Sequence, residues 1–363
     1  MPRGDAEYMD RALSIAARGR GLTSPNPLVG AVVVSADGVV VGSGYHQRAG
    51  GPHAEIHALR SAGGAARGAT LFSTLEPCCH TGRTGPCVDS ILAAGVARVV
   101  VGVEDPNPQV QGGGVRFLRE HGIDVTVGVR EAQAARLNLP FFVRVRYGRP
   151  LVMLKVALSR DGCVARQPGV RSAITAPPAV RDAHALRAEF DAIAVGAETL
   201  LVDDSALTAR EVHRVRPLTR VIFDSRLRTP PTAAIFGTRD AGPIVIVTSA
   251  ADVVNAPEQA AALARAGARL LQAPRHDLPS ALRVLGAEGV TSLLLEGGPK
   301  VHAAAWEAGV VDRVRLYVSP AVFGAGGVPW FVTSASVRLA LDDVDVRMVG
   351  PDECTEGYVH RTD

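Results

Sequence analysis

One histidine and two cysteines, His53, Cys78 and Cys87, constrain this chain more than any other residues in it. They sit in Pro52-His53-Ala54-Glu55 and, about twenty residues later, in Glu76-Pro77-Cys78-Cys79-His80-Thr81-Gly82-Arg83-Thr84-Gly85-Pro86-Cys87. An imidazole and two thiolates suit a zinc ion with an open fourth position, where water binds and loses a proton near neutral pH. The fold must therefore bring separate segments to one point. Glu55, two residues after the histidine, can serve that water as general acid/base without being a ligand. A purely structural site needs a fourth ligand, which Cys79 or His80 can supply. Neighbouring residues seldom both reach one metal without strain, so the catalytic arrangement is favoured.

The chain has 363 residues, enough for two domains with ordinary cores. Hydrophobic residues make up 47% and charged residues 21%, the balance of a soluble globular protein. A net charge of +3 with no block of like charges argues against a nucleic-acid or membrane surface. Aromatic residues are only 4%, too few for a track of bases stacked on rings. Three of the five cysteines crowd one short segment, which favours metal over disulfides. The first ten residues carry no apolar signal core and no long uncharged apolar run follows, so a cytoplasmic protein is expected. Lys155 and Lys300 are the only lysines.

Asp5 is expected to cap a first helix through Met9, Leu13 and Ala16. A strand over 28–34 turns at Asp37-Gly38 into a second over 39–44. Pro52 at a first helical position predicts a helix with His53 and Glu55 in its first turn. A strand over 69–75 leads to the cysteines, and Pro86-Cys87 opens another helix. A strand over 98–103, a helix ending at Gly122, a strand over 123–127 and a helix over 130–139 follow. Tyr147-Gly148-Arg149-Pro150 marks the boundary between domains at 1–146 and 147–363. The second has strands over 151–158, 192–196, 220–224, 244–248, 269–271 and 292–295, helices over 178–189 and to 308, and a β-rich tail from Asp312. Alternating strands and helices predict an α/β layer fold. Gly297-Gly298-Pro299 reads equally as a phosphate cradle or an ordinary strand-to-helix turn. The paired acids Asp203 and Asp204, with Arg210 beyond, read as a solvated helix end or as a site for a polyol and a phosphate.

Together these motifs resemble those of the bifunctional riboflavin-biosynthesis deaminase–reductases. The likeness rests on Pro-His-Ala-Glu, Thr74-Leu75-Glu76-Pro77-Cys78, Gly82-Arg83-Thr84 with Pro86-Cys87, and Ser24-Pro25-Asn26-Pro27-Leu28-Val29-Gly30. It continues through Lys155-Val156-Ala157, Leu186-Arg187, the 199–210 segment, Asp224-Ser225 and Glu296-Gly297-Gly298. His-x-Glu followed by Pro-Cys is also the mark of zinc-dependent base deaminases, here with eight residues rather than two before the last cysteine.

The resemblance implies an N-terminal cytidine-deaminase-like α/β/α domain and a C-terminal dihydrofolate-reductase-like α/β domain. The first would exchange the amine of a diaminopyrimidinone for a carbonyl. The second would reduce its ribosyl phosphate arm to ribityl with NADPH. It further implies that His53, Cys78 and Cys87 bind zinc and Glu55 shuttles protons, with Asn26, His46, His80 and Arg83 lining the pyrimidine and phosphate side. In the second domain Lys155, Asp203 and Glu296 would surround the ribose. Arg187, Leu207 and Arg210 would hold substrate and its phosphate, while Ala157, Thr199, Ser225 and Gly298 would contact the dinucleotide. A small-molecule substrate, no nucleic acid or membrane, and a homo-oligomer (dimer or tetramer) complete the expectation. Two other readings are a deaminase with an inactive or repurposed reductase domain, because Arg171 and Ala173 stand where the family shows serine and tryptophan, and a nucleic-acid base-binding module.

Overall fold

Strands in the N-terminal half are rich in Val, Leu and Ala almost without alternation, which suits a sheet covered on both faces. The structure is a computed structural model that describes residues 4–80, 85–108, 110–214 and 216–359. The chain divides into two compact units, Met1–Gly148 and Arg149–Asp363. Among the described residues no helix is long and apolar enough to cross a membrane.

The first unit runs α1 (Asp5–Ala16), β1 (Gly30–Val34), β2 (Val40–Tyr45), α2 (Ala54–Ala62), β3 (Thr70–Leu75) and α3 (Cys87–Ala93). It ends with β4 (Arg98–Val103), α4 (Gly113–Glu120), β5 (Asp124–Val127), α5 (Glu131–Leu137) and α6 (Leu139–Tyr147). Its five strands lie in the order β2-β1-β3-β4-β5. The hairpin is antiparallel, and β3, β4 and β5 are parallel. Side chains alternate along β1, so Ala31 and Val33 join the core with Ala54, Ala58, Val88 and Ile91 of α2 and α3. Val32 and Val34 meet Tyr8, Met9 and Ala12 of α1 on the other face. Helix α2 lies directly on β2 because glycine leaves it room. A Cβ at Gly42 would sit 2.4 Å from the Ala58 carbonyl oxygen, and one at Gly44 2.4 Å from His57 Cβ.

Three expectations for this unit are corrected. Asp5 is the first residue of α1 rather than its cap; its carboxylate pairs with Arg98 of β4 at 2.9 and 2.7 Å. His53 is the N-cap of α2, with extended backbone, so Pro52 lies before the helix rather than in it. Beyond α5, Pro140 starts α6 near its first position, and Gly148 ends that helix in a left-handed conformation (φ 68°). The single helix expected over 130–139 is thus two helices, the second running on to Tyr147.

The second unit runs β6 (Leu151–Leu158), β7 (Cys163–Ala165), α7 (Pro177–Glu189), β8 (Ala192–Gly196), α8 (Ala197–Asp203), β9 (Thr219–Phe223), β10 (Ile244–Thr248), α9 (Ala250–Asn255), α10 (Pro257–Ala266) and β11 (Ala268–Gln272). It continues with α11 (Leu278–Ala287), β12 (Ser292–Gly297), α12 (Pro299–Glu307), β13 (Arg313–Val318), β14 (Val328–Pro329), α13 (Ser334–Leu339), β15 (Leu341–Val349) and β16 (Asp352–Val359). Helices α9 to α11 were not anticipated, whereas α8 ends at the paired acids Asp203 and Asp204, one of the two readings of that segment. Nine strands form one sheet in the order β11-β10-β9-β8-β12-β6-β13-β16-β15, parallel as far as β13 and antiparallel beyond. Strand β12 returns between β8 and β6, the kind of crossing where α/β sheets open a crevice at their carboxyl ends.

A buried ion pair closes the start of this unit. Arg149 donates to both oxygens of Asp312 at 2.7 and 3.0 Å, and the Val152 amide donates to Asp312 at 2.8 Å. Both side chains are under a tenth exposed. Asp312→Ala would leave a buried guanidinium without its carboxylate, and a destabilisation of about 3–5 kcal/mol is expected in urea unfolding followed in this unit. A loss below about 1 kcal/mol would show that the pair contributes little.

Candidate active sites

The end of β3 and the starts of α2 and α3 meet at one point in the first unit. His53 Nδ1 lies 3.1 Å from Cys87 Sγ and 3.5 Å from Cys78 Sγ. The three candidate ligand atoms all fall within 4.8 Å of one another. The Cys87 amide donates to Cys78 Sγ at 3.3 Å, supporting the thiolate. A hydrogen bond from Cys87, with help from His53, pulls the Cys78 thiol down to about 4, while Cys87 is pushed up by Cys78 and by burial. Both sulfurs ligate a metal as thiolates, so metal binding would release a proton from this pair.

Glu55 is buried in the first turn of α2, and its Oε2 has no hydrogen-bond partner. Burial pushes its carboxyl up to about 7. An imidazole, two sulfurs and an unsatisfied carboxylate oxygen beside them fit a zinc ion with an open position. Cys79 is not in this group, because its Sγ packs against Gly113, where a Cβ would come within 2.9 Å.

A cavity of about 350 Å³ opens over the cluster, lined by Asn26, His46, His53, Glu55, His80 and Asp105 among others. Asn26 Nδ2 donates to His46 Nε2 at 3.1 Å, and His46 Nδ1 donates to the Pro52 carbonyl at 3.0 Å, which sets the tautomer of a neutral ring. Burial lowers the pKa of His46. His80 Nδ1 is buried without a partner. Arg83 lies outside the described residues. Two acids were missed by the sequence reading. Glu76 accepts the backbone amides of Asp105, Gly112 and Val115 at 3.0–3.2 Å, pinning the loop beneath the cavity. Asp105 is pushed up to about 6, chiefly by burial. The Glu-Asp-Pro-Asn-Pro composition of 104–108 was the available signal.

In the second unit a cavity of about 410 Å³ is lined by Lys155 of β6, Arg187 of α7, Thr199 and Asp203 of α8, and Glu296 of β12, with Leu207 and Arg210 on the following loop. Glu296 is its electrostatic centre. Arg187 Nε and Nη2 each donate to it at 2.7 Å, and Lys155 Nζ lies 3.8 Å away. Burial opposes its charge, but Arg187 and Lys155 outweigh that and hold it at about 2. Burial lowers the pKa of Lys155 and raises that of Asp203. Arg187 is thereby spent on Glu296 and, through Nη1, on the Thr208 carbonyl at 2.7 Å. That leaves Arg210 as the cation of the pair expected to face a phosphate.

The residues expected at the dinucleotide are only partly gathered. Ala157, Ser225 and Gly298 are not among those lining this cavity. Ala157 packs with Ala179, Tyr317 and Cys354, and Ser225 sits in the turn after β9. Gly298 caps α12, and a Cβ there would come within 2.7 Å of Thr199 Oγ1. Only glycine lets this turn approach Thr199 so closely, which leaves bare backbone at a helix start suited to a phosphate of a dinucleotide. His184 and Arg171 line the cavity but were not assigned a binding role from sequence.

Comparison with known proteins agrees along the whole chain. The family described as "RibD C-terminal domain" matches residues 150–355, and "Cytidine and deoxycytidylate deaminase zinc-binding region" matches residues 2–103. The riboflavin biosynthesis protein RibD of Escherichia coli is 40% identical, covering 96% of this chain and 98% of its own. That of Aquifex aeolicus is 41% identical, covering 89% and 88%. Among solved structures, Acinetobacter baumannii RibD superposes with a TM-score of 0.86 at 35% identity, covering 98% of this chain and 99% of its own. A diaminohydroxyphosphoribosylaminopyrimidine deaminase/5-amino-6-(5-phosphoribosylamino)uracil reductase of Thermotoga maritima gives 0.84 at 34%, with the same coverage.

The geometry separates the two adjacent cysteines. Cys78→Ser should strip most of the zinc from purified protein by elemental analysis, whereas Cys79→Ser should keep it. Equal loss in both would contradict Cys78 as the ligand.

Proposed function

The chain belongs to the RibD family of bifunctional riboflavin-biosynthesis enzymes, and on that basis we propose which of its residues carry each of the two reactions. The enzyme deaminates a phosphoribosylamino-substituted diaminopyrimidinone in a zinc-dependent domain and reduces the ribosyl group of the product in an NADPH-dependent domain. The observation that carries the assignment is the meeting of His53, Cys78 and Cys87 beside a buried Glu55 with one unsatisfied oxygen.

His53, Cys78 and Cys87 would hold the zinc, which when bound supplies the Lewis acidity that makes water a nucleophile near neutral pH. Water adds to the ring carbon bearing the amine, and the C–N bond breaks as ammonia leaves. Glu55 takes the proton from the water and gives it to the departing nitrogen. A carboxyl group near 7 can do both in one turnover. Asn26, neutral His46 and His80 present the hydrogen-bonding groups that orient the pyrimidine, and Arg83 takes its phosphate arm.

In the second unit NADPH, when bound, would supply the hydride. The Gly297-Gly298 turn and Thr199 would hold the dinucleotide, and Leu207 would pack beside the substrate. Asp203 and Glu296 hold the ribose hydroxyls, with Arg187 fixing Glu296 as a permanent anion. As the sugar carbon accepts hydride, its bond to the ring oxygen breaks and that oxygen takes a proton from Lys155. Burial eases that transfer by favouring the neutral amine.

Strand β15 is an edge of the nine-stranded sheet and exposes Val344, Val346 and Met348 on one face. Such an edge is ordinarily covered. We assign it to a second copy of the chain, pairing about a two-fold axis. A zinc site built on two thiolates suits a reducing compartment, and we place the protein in the cytoplasm.

Glu55→Gln should keep zinc yet cut ammonia release by at least about 100-fold, while reduction of separately supplied deaminated substrate by NADPH continues. Substantial remaining deamination would remove Glu55 from its role, and wild-type protein that oxidised no NADPH would sink the reductase assignment. Met348→Asp should lower the solution mass toward the monomer in light scattering; an unchanged mass would place any interface elsewhere.

A further inference from the structure

His184 stands between the two arginines of the second cavity, and no reaction step above uses it. It is buried on α7, one helical turn before Arg187, so both side chains share the face turned to the 204–210 loop. Arg210 meets its ring at both nitrogens. The Arg210 backbone nitrogen lies 3.2 Å from Nδ1, and its Nε and Nη2 lie 3.3 and 3.0 Å from Nε2. Arg187 Nη1 is 3.4 Å from Nδ1 on the other side. A neutral imidazole has one bare nitrogen, and an imidazolium has none. With Nε2 bare the ring accepts from the Arg210 guanidinium, with Nδ1 bare it accepts only the Arg210 main-chain N–H, and a protonated ring accepts neither.

We propose that His184 is a positioning residue of the reductase site, whose neutral ring, through a bare Nε2, holds the Arg210 guanidinium at the cavity as the cation that binds the phosphate of the substrate. The inference rests on the reading of Arg210 as the phosphate-binding residue. The charge balance of the cavity supports it. Lys155 and Arg187 are both turned to Glu296, whereas Arg210 donates to an uncharged ring and keeps its positive charge for a ligand. A carboxylate at position 184 would orient Arg210 equally well but neutralise it. A neutral acceptor orients it without doing so.

The surroundings keep the ring neutral. Burial comes first, then Arg187 from the same helix and Arg210 from the loop; Glu296 on β12 opposes them, and the His184 pKa falls below its ordinary value. As pH drops through that lowered value the ring gains a proton, ceases to accept, and adds a third positive charge between two guanidinium groups. Arg210 is then released from the cavity wall.

The test is steady-state kinetics of the full-length enzyme with the deaminated ribosylaminopyrimidine phosphate and its dephosphorylated counterpart, with NADPH saturating. His184→Ala should raise KM for the phosphorylated substrate on the order of tenfold. It should leave kcat, KM for the dephosphorylated compound and ammonia release in the other domain near wild type. Arg210→Ala should do the same, and adding His184→Ala to it should cost nothing further. His184→Gln, whose amide oxygen also accepts from a guanidinium, should restore KM at neutral pH and abolish its rise at low pH. The substrate phosphate titrates identically with both proteins, so the difference between their pH profiles belongs to residue 184. Additive losses in the double variant, or a His184→Ala KM equal to wild type while Arg210→Ala raises it, would overturn the positioning role and leave Arg210 in place. An unchanged KM in Arg210→Ala would overturn the phosphate assignment, and the positioning role with it.

Discussion

Three soft-to-borderline donor atoms from positions 53, 78 and 87 must occupy a sphere less than 5 Å across, and the arrangement of the first unit follows from that demand. A parallel strand delivers Cys78 at its carboxyl end, and helices begin at His53 and Cys87. Helix α2 could not reach the site without lying flat on β2, which Gly42 and Gly44 permit by offering no side chain. Extended backbone at His53 turns its ring away from the helix and toward the sulfurs. The same geometry puts Glu55 inside the first turn, buried at the floor of the cavity. Metal ligation, proton transfer and the packing of α2 are one constraint.

The second unit has no comparable anchor. Its site is assembled at the carboxyl ends of β6 and β12 from residues supplied by two helices and a loop, held by a single anion. Glu296 binds Arg187 in a two-pronged contact and faces Lys155. Arg187 in turn ties down the loop through the Thr208 carbonyl. One carboxylate therefore fixes the mutual placement of β12, β6, α7 and the 204–210 segment. Its removal would free two cations inside a cavity built to recognise a phosphorylated sugar, and affinity would be redirected as well as lost.

This difference explains how much of each half was legible in the sequence. Ligand chemistry restricts residue type and neighbourhood, so His53, Glu55, Cys87 and the Cys78-Cys79 pair could be proposed from the motif, with the choice within that pair left open, and the strands leading to them followed. Glu76 escaped notice because its role is to accept three amides from a loop some thirty to forty residues away, a contact with no local signature. The second cavity joins residues from 155 to 317 through tertiary packing alone. Resemblance supplied most of its members, yet it could not show that Arg187 is consumed by Glu296 or that His184 sits against Arg210. Helices α10 and α11 were passed over although Ala260 and Leu263, and Ala281, Leu282 and Leu285, give them buried apolar faces as periodic as that of α1. Asp5 looked like a cap from its position, but a bidentate arginine across the sheet face was a better partner for it than its own helix amides.

Two glutamates in this chain show what the environment adds to residue type. Glu55 is 3% exposed and the Glu296 side chain 7% exposed, so burial penalises the charge of both. Glu55 has one imidazole nearby, offset by the negative Cys78, and burial prevails; its carboxyl rises to about 7. Glu296 has a guanidinium making two charge-assisted hydrogen bonds and an ammonium beside it; these prevail, and it falls to about 2. The first can gain and lose a proton at neutral pH and is suited to shuttling. The second stays ionised at neutral pH and is suited to holding cations and hydroxyls in place. Exchanging their neighbours, rather than the residues themselves, would exchange their functions.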